Sequence, residues 1–274
     1  MATCYRHPNR ETGVACSNCG RPICTDCMTP TPVGMRCPEC AKDRTRVVRG
    51  PSRPASEPTA TIVLIALNVI AFIAELGTGS TMGSGGSGSV VVDGGLFGPY
   101  VADGEWYRLL TSGFLHSGLM HIAFNMFFIW VLGSMLEPAL GRARFVALYF
   151  TALLSGSLGV MLLDPTSLTV GASGAAFGLL GAAIVEARAR GLDIWASGLG
   201  LTAVLNFGIT FLIPGISIGG HLGGFVGGMV VALLFQQADR MRLPRLASLG
   251  ACAVLAVLVA VGAVAAADSA TTLF

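Results

Sequence analysis

From residue 59 to residue 267 the chain is a succession of apolar stretches broken by short polar ones, whereas its first 58 residues show no such run. A helix that crosses a bilayer needs about 17 to 25 predominantly apolar residues. That length places spans at 59–76, 114–135, 145–163, 172–189, 194–213, 217–236 and 246–267. The pattern predicts an all-α membrane protein with seven spans. Residues 46–58 (Arg-Val-Val-Arg-Gly-Pro-Ser-Arg-Pro-Ala-Ser-Glu-Pro) have no hydrophobic period and carry three prolines, so they read as a linker behind an amino-terminal module of residues 1–45.

Composition sharpens this reading. The 274 residues are 53% hydrophobic and 12% charged, with 37 glycines, which excludes disorder and argues against a soluble globule. The net charge of +2 gives nucleic-acid binding no support; the placement of the charges matters instead. Counting the amino terminus as inside, nine Lys and Arg residues precede the first span and seven lie around the loops after spans two, four and six, leaving Arg108 alone on the other side. By the positive-inside rule the amino terminus is cytoplasmic and the carboxyl terminus external.

Polar side chains inside lipid are costly, so each one raises a functional question. Ser173 is expected about two residues into span four and His221 about five into span six, both of which run inward. At 1.5 Å per residue the two side chains differ by only a few ångströms in depth. His121 and Asn125 lie one helical turn apart in span two and face the same way. Gly174, Gly178 and Gly181 in span four, and Gly220, Gly224 and Gly228 in span six, form the small-residue spacing that lets backbones approach. Spacing alone fits generic helix packing equally well, but the serine and histidine carried on the same two helices point to chemistry.

A serine hydroxyl becomes nucleophilic when a base takes its proton, and histidine is the usual base. Ser173 and His221 can act as a dyad. Asp164 and Glu75 fall at outer ends and Glu137 and Glu186 near the inner face, so no carboxylate stands at the depth a triad would require. Free N–H groups at the start of span four, beside His121 and Asn125, offer an oxyanion hole. Taken singly, His121 and Asn125 would fit a structural role between helices.

The run Glu105-Trp106-Tyr107-Arg108-Leu109-Leu110-Thr111-Ser112-Gly113-Phe114-Leu115-His116, then His121-xxx-Asn125, Gly171-Ala172-Ser173-Gly174 and Gly220-His221 resembles the rhomboid intramembrane serine proteases over roughly residues 59–240. The resemblance implies a six-helix core with Ser173 as nucleophile and His221 as general base. His121, Asn125 and the Ser173 backbone would hold the oxyanion. It also implies single-span membrane proteins as substrates, cut near the outer part of their transmembrane segment, span five as a lateral gate, and Trp106 with Arg108 in a first-loop element bracing the core. His116 belongs to the pattern, either supporting the site or holding structure, and Glu137 and Arg144 would fix helix ends. Phe177 stands where many relatives carry tyrosine stacked on the histidine; the ring is kept and the hydroxyl lost. The seventh span, in residues 241–274, matches the six-plus-one branch, and its Cys252 reads as a small buried residue.

Two readings of other classes compete. A rhomboid-like protein that binds or chaperones membrane clients without cutting them is disfavoured by retention of Ser173, His221, His121 and Asn125. A transporter or channel is disfavoured because one serine–histidine pair between glycine-packed helices describes no ion path.

Seven of the eight cysteines lie within the first 40 residues, in Cys4-xx-His7, Cys16-xx-Cys19, Cys24-xx-Cys27 and Cys37-xx-Cys40. With no signal peptide apparent, this segment is expected in a reducing cytoplasm, where paired cysteines favour metal over disulfide. Eight N/S ligands make two closed tetrahedral sites, and Zn2+ suits thiolate-rich ones. The alternating order resembles B-box-type zinc fingers and suggests a cross-brace, Cys4, His7, Cys24 and Cys27 at one site and Cys16, Cys19, Cys37 and Cys40 at the other. Sequential pairing of first with second and third with fourth is the alternative. The ligands only hold the fold, so binding a cytoplasmic partner, presenting a substrate and sensing metal or redox state all stay open for this module. Lys42, Arg44, Arg46, Arg49 and Arg53 suit either anionic lipid contact or a positive-inside anchor for span one.

Overall fold

A computed structural model of the chain describes residues 2–42, 57–83 and 88–271, with the side chain of Thr271 left out. The chain falls into two compact units, 1–54 and 55–274. Apart from its last two residues, the linker expected at 46–58 lies outside the described residues, as do the final three residues of the expected module 1–45.

The first unit pairs β1 (Ala2–Thr3) with β2 (Glu11–Thr12), then continues through a single turn at Thr25–Cys27, a hairpin of β3 (Thr29–Thr31) and β4 (Gly34–Arg36), and a short α1 (Pro38–Lys42). Its buried interior consists of six cysteines and Ile23. So little apolar surface cannot hold a fold of this size by itself.

The second unit is helical: α2 (Thr59–Gly77), three short helices α3 (Ser89–Gly94), α4 (Gly98–Ala102) and α5 (Arg108–Thr111), then α6 (Leu119–Leu140), α7 (Arg142–Leu163), α8 (Ser173–Ala189), α9 (Leu199–Leu212), α10 (Ile218–Arg240) and α11 (Arg245–Thr271). Among the described residues, α2, α6, α7, α10 and α11 are long and apolar enough to cross a membrane. Seven such spans were expected; α8 has 17 residues and α9 only 14. Several boundaries also move, two of them for visible reasons. Span two, expected at 114–135, begins at Leu119, because Leu115 is extended and the His116 N–H bonds to the carboxylate of Glu75 rather than to a helical carbonyl. Span five, expected from 194, begins at Leu199 because Asp193 Oδ1 accepts the N–H of Trp195 and Gly198 turns left-handed at φ +79. An apolar count registers neither event.

The core is built on α7, α8 and α10, where Leu148, Tyr149, Leu179 and Val231 are fully buried. Glycines bring these helices together. A Cβ on Gly224 would stand 2.0 Å from the Gly174 carbonyl oxygen and one on Gly228 1.9 Å from that of Gly178, so these pairs meet backbone to backbone. Gly174 neighbours Gly220, and Gly178 neighbours Gly224; the numbers rise together, so α8 and α10 run parallel. Gly156 faces Gly220 while Gly159 faces Gly219, and Ser155 faces Gly223 and Gly227. Here the numbers run oppositely, so α7 is antiparallel to α10. Gly156 and Gly159 of α7 thus share in the close packing, although α7 carries no residue of the serine–histidine pair to mark them in the sequence.

Polar residues fix the helix ends. Glu137 near the end of α6 accepts the N–H groups of Ala60 and Thr61 and the Thr61 hydroxyl, at 2.8–2.9 Å. This carboxylate satisfies orphan donors and complements the helix dipole at the start of α2. Arg144 makes two bonds to Asp239 on α10 and bonds Ser248 on α11. In the first loop Arg108 is 3% exposed. It donates to Glu105 and to the carbonyls of Val92 and Gly95 and lies over the Tyr100 ring. The single cation on the wrong side of the charge count is therefore a buried brace. Leu96, Val101 and Leu109 from this loop pack on Val160, Met161, Ala263 and Ala267 of α7 and α11, whereas its partner in the motif, Trp106, is 60% exposed.

Candidate active site

Ser173 is the first residue of α8 and His221 the fourth of α10. Because the helices are parallel and in contact, both side chains stand at the same end of the bundle. They line one cavity of about 1060 Å³, whose walls also include His121, Asn125, Phe177 and Gly171. His121 is the third residue of α6 rather than deep within a span, with Asn125 one turn on. The later start of that helix puts both level with the amino-terminal ends of α8 and α10.

Ser173 Oγ and His221 Nε2 are not hydrogen-bonded to each other in this structure, and among the described residues neither atom has a hydrogen-bond partner. Both open on the cavity. The N–H groups of Ser173, Gly174 and Ala175 precede the first helical bond, from Ala176 N to the Ala172 carbonyl. Among the described residues these three have no backbone acceptor, which leaves them to receive negative charge.

Histidine roles follow from hydrogen-bond partners. Ser117 donates its backbone N–H to His121 Nδ1 at 3.3 Å, and its hydroxyl lies 3.0 Å from the same nitrogen. A nitrogen that accepts an N–H carries no proton, so the neutral ring is protonated on Nε2, which makes that atom a donor. Gly171 sits at φ +133, and a Cβ there would lie 2.8 Å from His121 Cε1 and Nε2 and 3.6 Å from Ser173 Oγ. Only glycine lets the loop before α8 press against that donor edge. Asn125 spends one amide hydrogen on the His121 carbonyl at 3.0 Å, which leaves the other for the cavity.

His221 stacks on Phe177, with centroids 4.0 Å apart and planes 17° from parallel. Its Nδ1 is 2.7 Å from Thr210 Oγ1 of α9. His116 is fully buried, its ring edge-on to His121 at 5.1 Å and both ring nitrogens without a hydrogen-bond partner among the described residues. Its backbone is held by Glu75, itself fully buried. The sequence placed Glu75 at an outer helix end but not against His116, and it singled out neither Ser117 nor Thr210. A lone carboxylate in an apolar run was the one available signal, for Glu75; hydroxyls in helices are too common to single out.

In the first unit the eight expected ligands gather as two groups, Cys4, His7, Cys24 and Cys27, and Cys16, Cys19, Cys37 and Cys40. Within each group the ligand atoms all lie within 4.8 Å of one another. This is the alternating arrangement. Zn–S bonds of about 2.3 Å in a tetrahedron put sulfurs about 3.8 Å apart; Cys19 and Cys37 Sγ are 3.8 Å apart, and His7 Nδ1 is 3.3–3.8 Å from its three sulfurs. All eight cysteines are free of disulfides. The donor set and spacing fit the metal.

The Rhomboid domain model matches residues 103–238. Rhomboid protease GluP of Bacillus subtilis is 34% identical over 213 residues, which are 75% of this chain and 40% of that protein. Putative rhomboid protease YdcA of the same organism is 34% identical over 146 residues, 52% of this chain and 73% of the relative. Rhomboid-like protease 1 of Toxoplasma gondii is 33% identical over 147 residues, 51% of this chain and 50% of the relative. The chain thus spans less than half of GluP and most of YdcA. With five apolar helices of spanning length and these relatives, the chain is a multi-pass membrane protein that belongs to the rhomboid family.

Proposed function

We propose that this protein is an intramembrane serine endopeptidase that cuts transmembrane segments of single-span membrane proteins. The observation that carries the reading is the shared cavity at the amino-terminal ends of two parallel helices, with Ser173 on one, His221 on the other and the His121 Nε2–H beside them. Ser173 Oγ attacks the scissile carbonyl carbon as its proton passes to His221 Nε2. The oxyanion takes hydrogen bonds from the Ser173 N–H, His121 Nε2 and Asn125 Nδ2. Collapse breaks the C–N bond, and the amine leaves with the proton from His221. Water, deprotonated by His221, then hydrolyses the acyl ester and releases a carboxylic acid. The base need close on the serine only when substrate is bound, as catalytic hydrogen bonds tighten in complexes.

The proposed topology is a six-span core of α2 and α6–α10 followed by α11, with the amino terminus cytoplasmic and the active-site opening external. At 1.5 Å per residue α8 extends about 26 Å and α9 about 21 Å, so both fall short of a hydrocarbon core of about 30 Å. A short α9 beside the cavity leaves room for a substrate segment to enter. The amino-terminal unit is proposed to bind two structural Zn2+ ions and to present a surface to a cytoplasmic partner. Its metal plays no part in peptide hydrolysis.

The test is cleavage of a single-span substrate in liposomes by the wild type, Ser173→Ala and His221→Ala. Loss of cleavage in both variants, with helix content retained, is expected. Persistence in either removes the dyad, and an inactive wild type that still retains membrane clients would favour the binding-protein reading.

A further inference from the structure

Among the described residues the His221 ring makes one hydrogen bond, and that bond crosses from α10 to α9. The Thr210 hydroxyl donates to the Asn206 carbonyl at 2.8 Å, one turn earlier on the same helix. A hydroxyl has one proton, so with that proton on Asn206 the oxygen meets His221 Nδ1, 2.7 Å away, as an acceptor. Nδ1 then carries the ring proton, and Nε2, the nitrogen open to the cavity, is bare. Thr210 is 2% exposed, so water does not compete for the bond. Phe177 clamps the ring face and has no polar atom to offer it.

We infer that Thr210 is a positioning residue of this site: by accepting the Nδ1–H of His221 it selects the tautomer in which Nε2 can take a proton from Ser173. The inference rests on the proposed Ser173/His221 chemistry. Thr210 fills the place that a carboxylate takes in a triad, and among the described residues no carboxylate bonds Nδ1. A neutral acceptor orients the ring without bringing a second charge into the membrane.

The test compares wild type, Thr210→Val and Thr210→Ser in liposomes on a single-span substrate, with 15N spectra of histidine-labelled protein in which His221 is identified by its loss in His221→Ala. Valine keeps the shape and loses the oxygen; serine keeps the oxygen. Expected are an about tenfold lower kcat with unchanged KM for Thr210→Val, the factor that one net hydrogen bond contributes to a two-tautomer population, and near wild-type kcat for Thr210→Ser. The wild-type spectrum should show a protonated Nδ1 and a bare Nε2, and Thr210→Val a shift toward Nε2–H. A wild-type ring protonated on Nε2, full kcat in Thr210→Val, or equal impairment in both variants would overturn the inference. If Thr210→Val misfolds, the wild-type spectrum and Thr210→Ser still decide it. Cleavage that survives in Ser173→Ala or His221→Ala sinks the dyad instead, and the spectrum then reports on the Thr210 bond alone.

Discussion

The ring of Phe177 lies flat against that of His221, with centroids 4.0 Å apart and planes 17° from parallel. Phe177 also meets Phe207 edge-on, so the histidine is pressed into an aromatic wall. Offset or stacked aromatic pairs contribute about 0.5–1.5 kcal/mol beyond burial. Phe177→Tyr should cleave substrate within about threefold of wild type, since only a hydroxyl is added. Phe177→Ala should lower kcat at least about tenfold, measured beside thermal unfolding to separate misorientation from the cavity cost of about 3–5 kcal/mol.

Gly171 presses on His121 at a backbone angle that side chains avoid. Gly171→Ala should therefore reduce cleavage about a hundredfold through displacement of the proposed oxyanion donor, with a stability loss of about 1–3 kcal/mol. Full activity in this variant would remove His121 from the oxyanion site.

Helix contact predicts a contrast between two glycines. Gly224→Ala drives a methyl into the Gly174 carbonyl and should cost about 1–3 kcal/mol or more, along with activity, because Ser173 and His221 ride on the helices it separates. Gly208→Ala on α9 meets no atom within 4 Å and should stabilise the helix by about 0.5–1 kcal/mol. Thermal unfolding in detergent distinguishes the two.

The amino-terminal unit should carry two zinc ions per chain by elemental analysis, falling to one in Cys16→Ser or Cys4→Ser. The ligands bind as thiolate and neutral imidazole, so protons compete and zinc leaves as pH falls. Chelation should unfold this unit while cleavage by the membrane unit in detergent persists.

In the first loop the Tyr107 hydroxyl, and then Arg108, hold the Glu105 carboxyl below its usual range. A depressed carboxylate contributes stability that is fully present above its unfolded value of about 4.3 and fades as pH falls through its lower folded value. The difference in melting temperature between wild type and Glu105→Gln should be constant from pH 6 to 8 and shrink only in acid below about pH 4.3. A difference that vanished near neutrality would contradict the assignment.

The membrane character, the serine and histidines of the cavity and the paired cysteines with His7 were all legible in the chain, because an apolar run, a polar residue within it and a paired cysteine are local patterns. So was the parallel sense of the helices bearing Ser173 and His221, through the parity of spans, and the alternating ligand order. The start of α6 was not, since it depends on Glu75 reaching His116, 41 residues away. Nor were the protonation states of the two cavity histidines. Those are decided by Ser117 and Thr210, hydroxyl residues whose importance comes only from which ring nitrogen they touch. Local sequence determines which groups a segment can offer; the geometry of packed helices decides which of them meet, and a proton's position depends on that meeting.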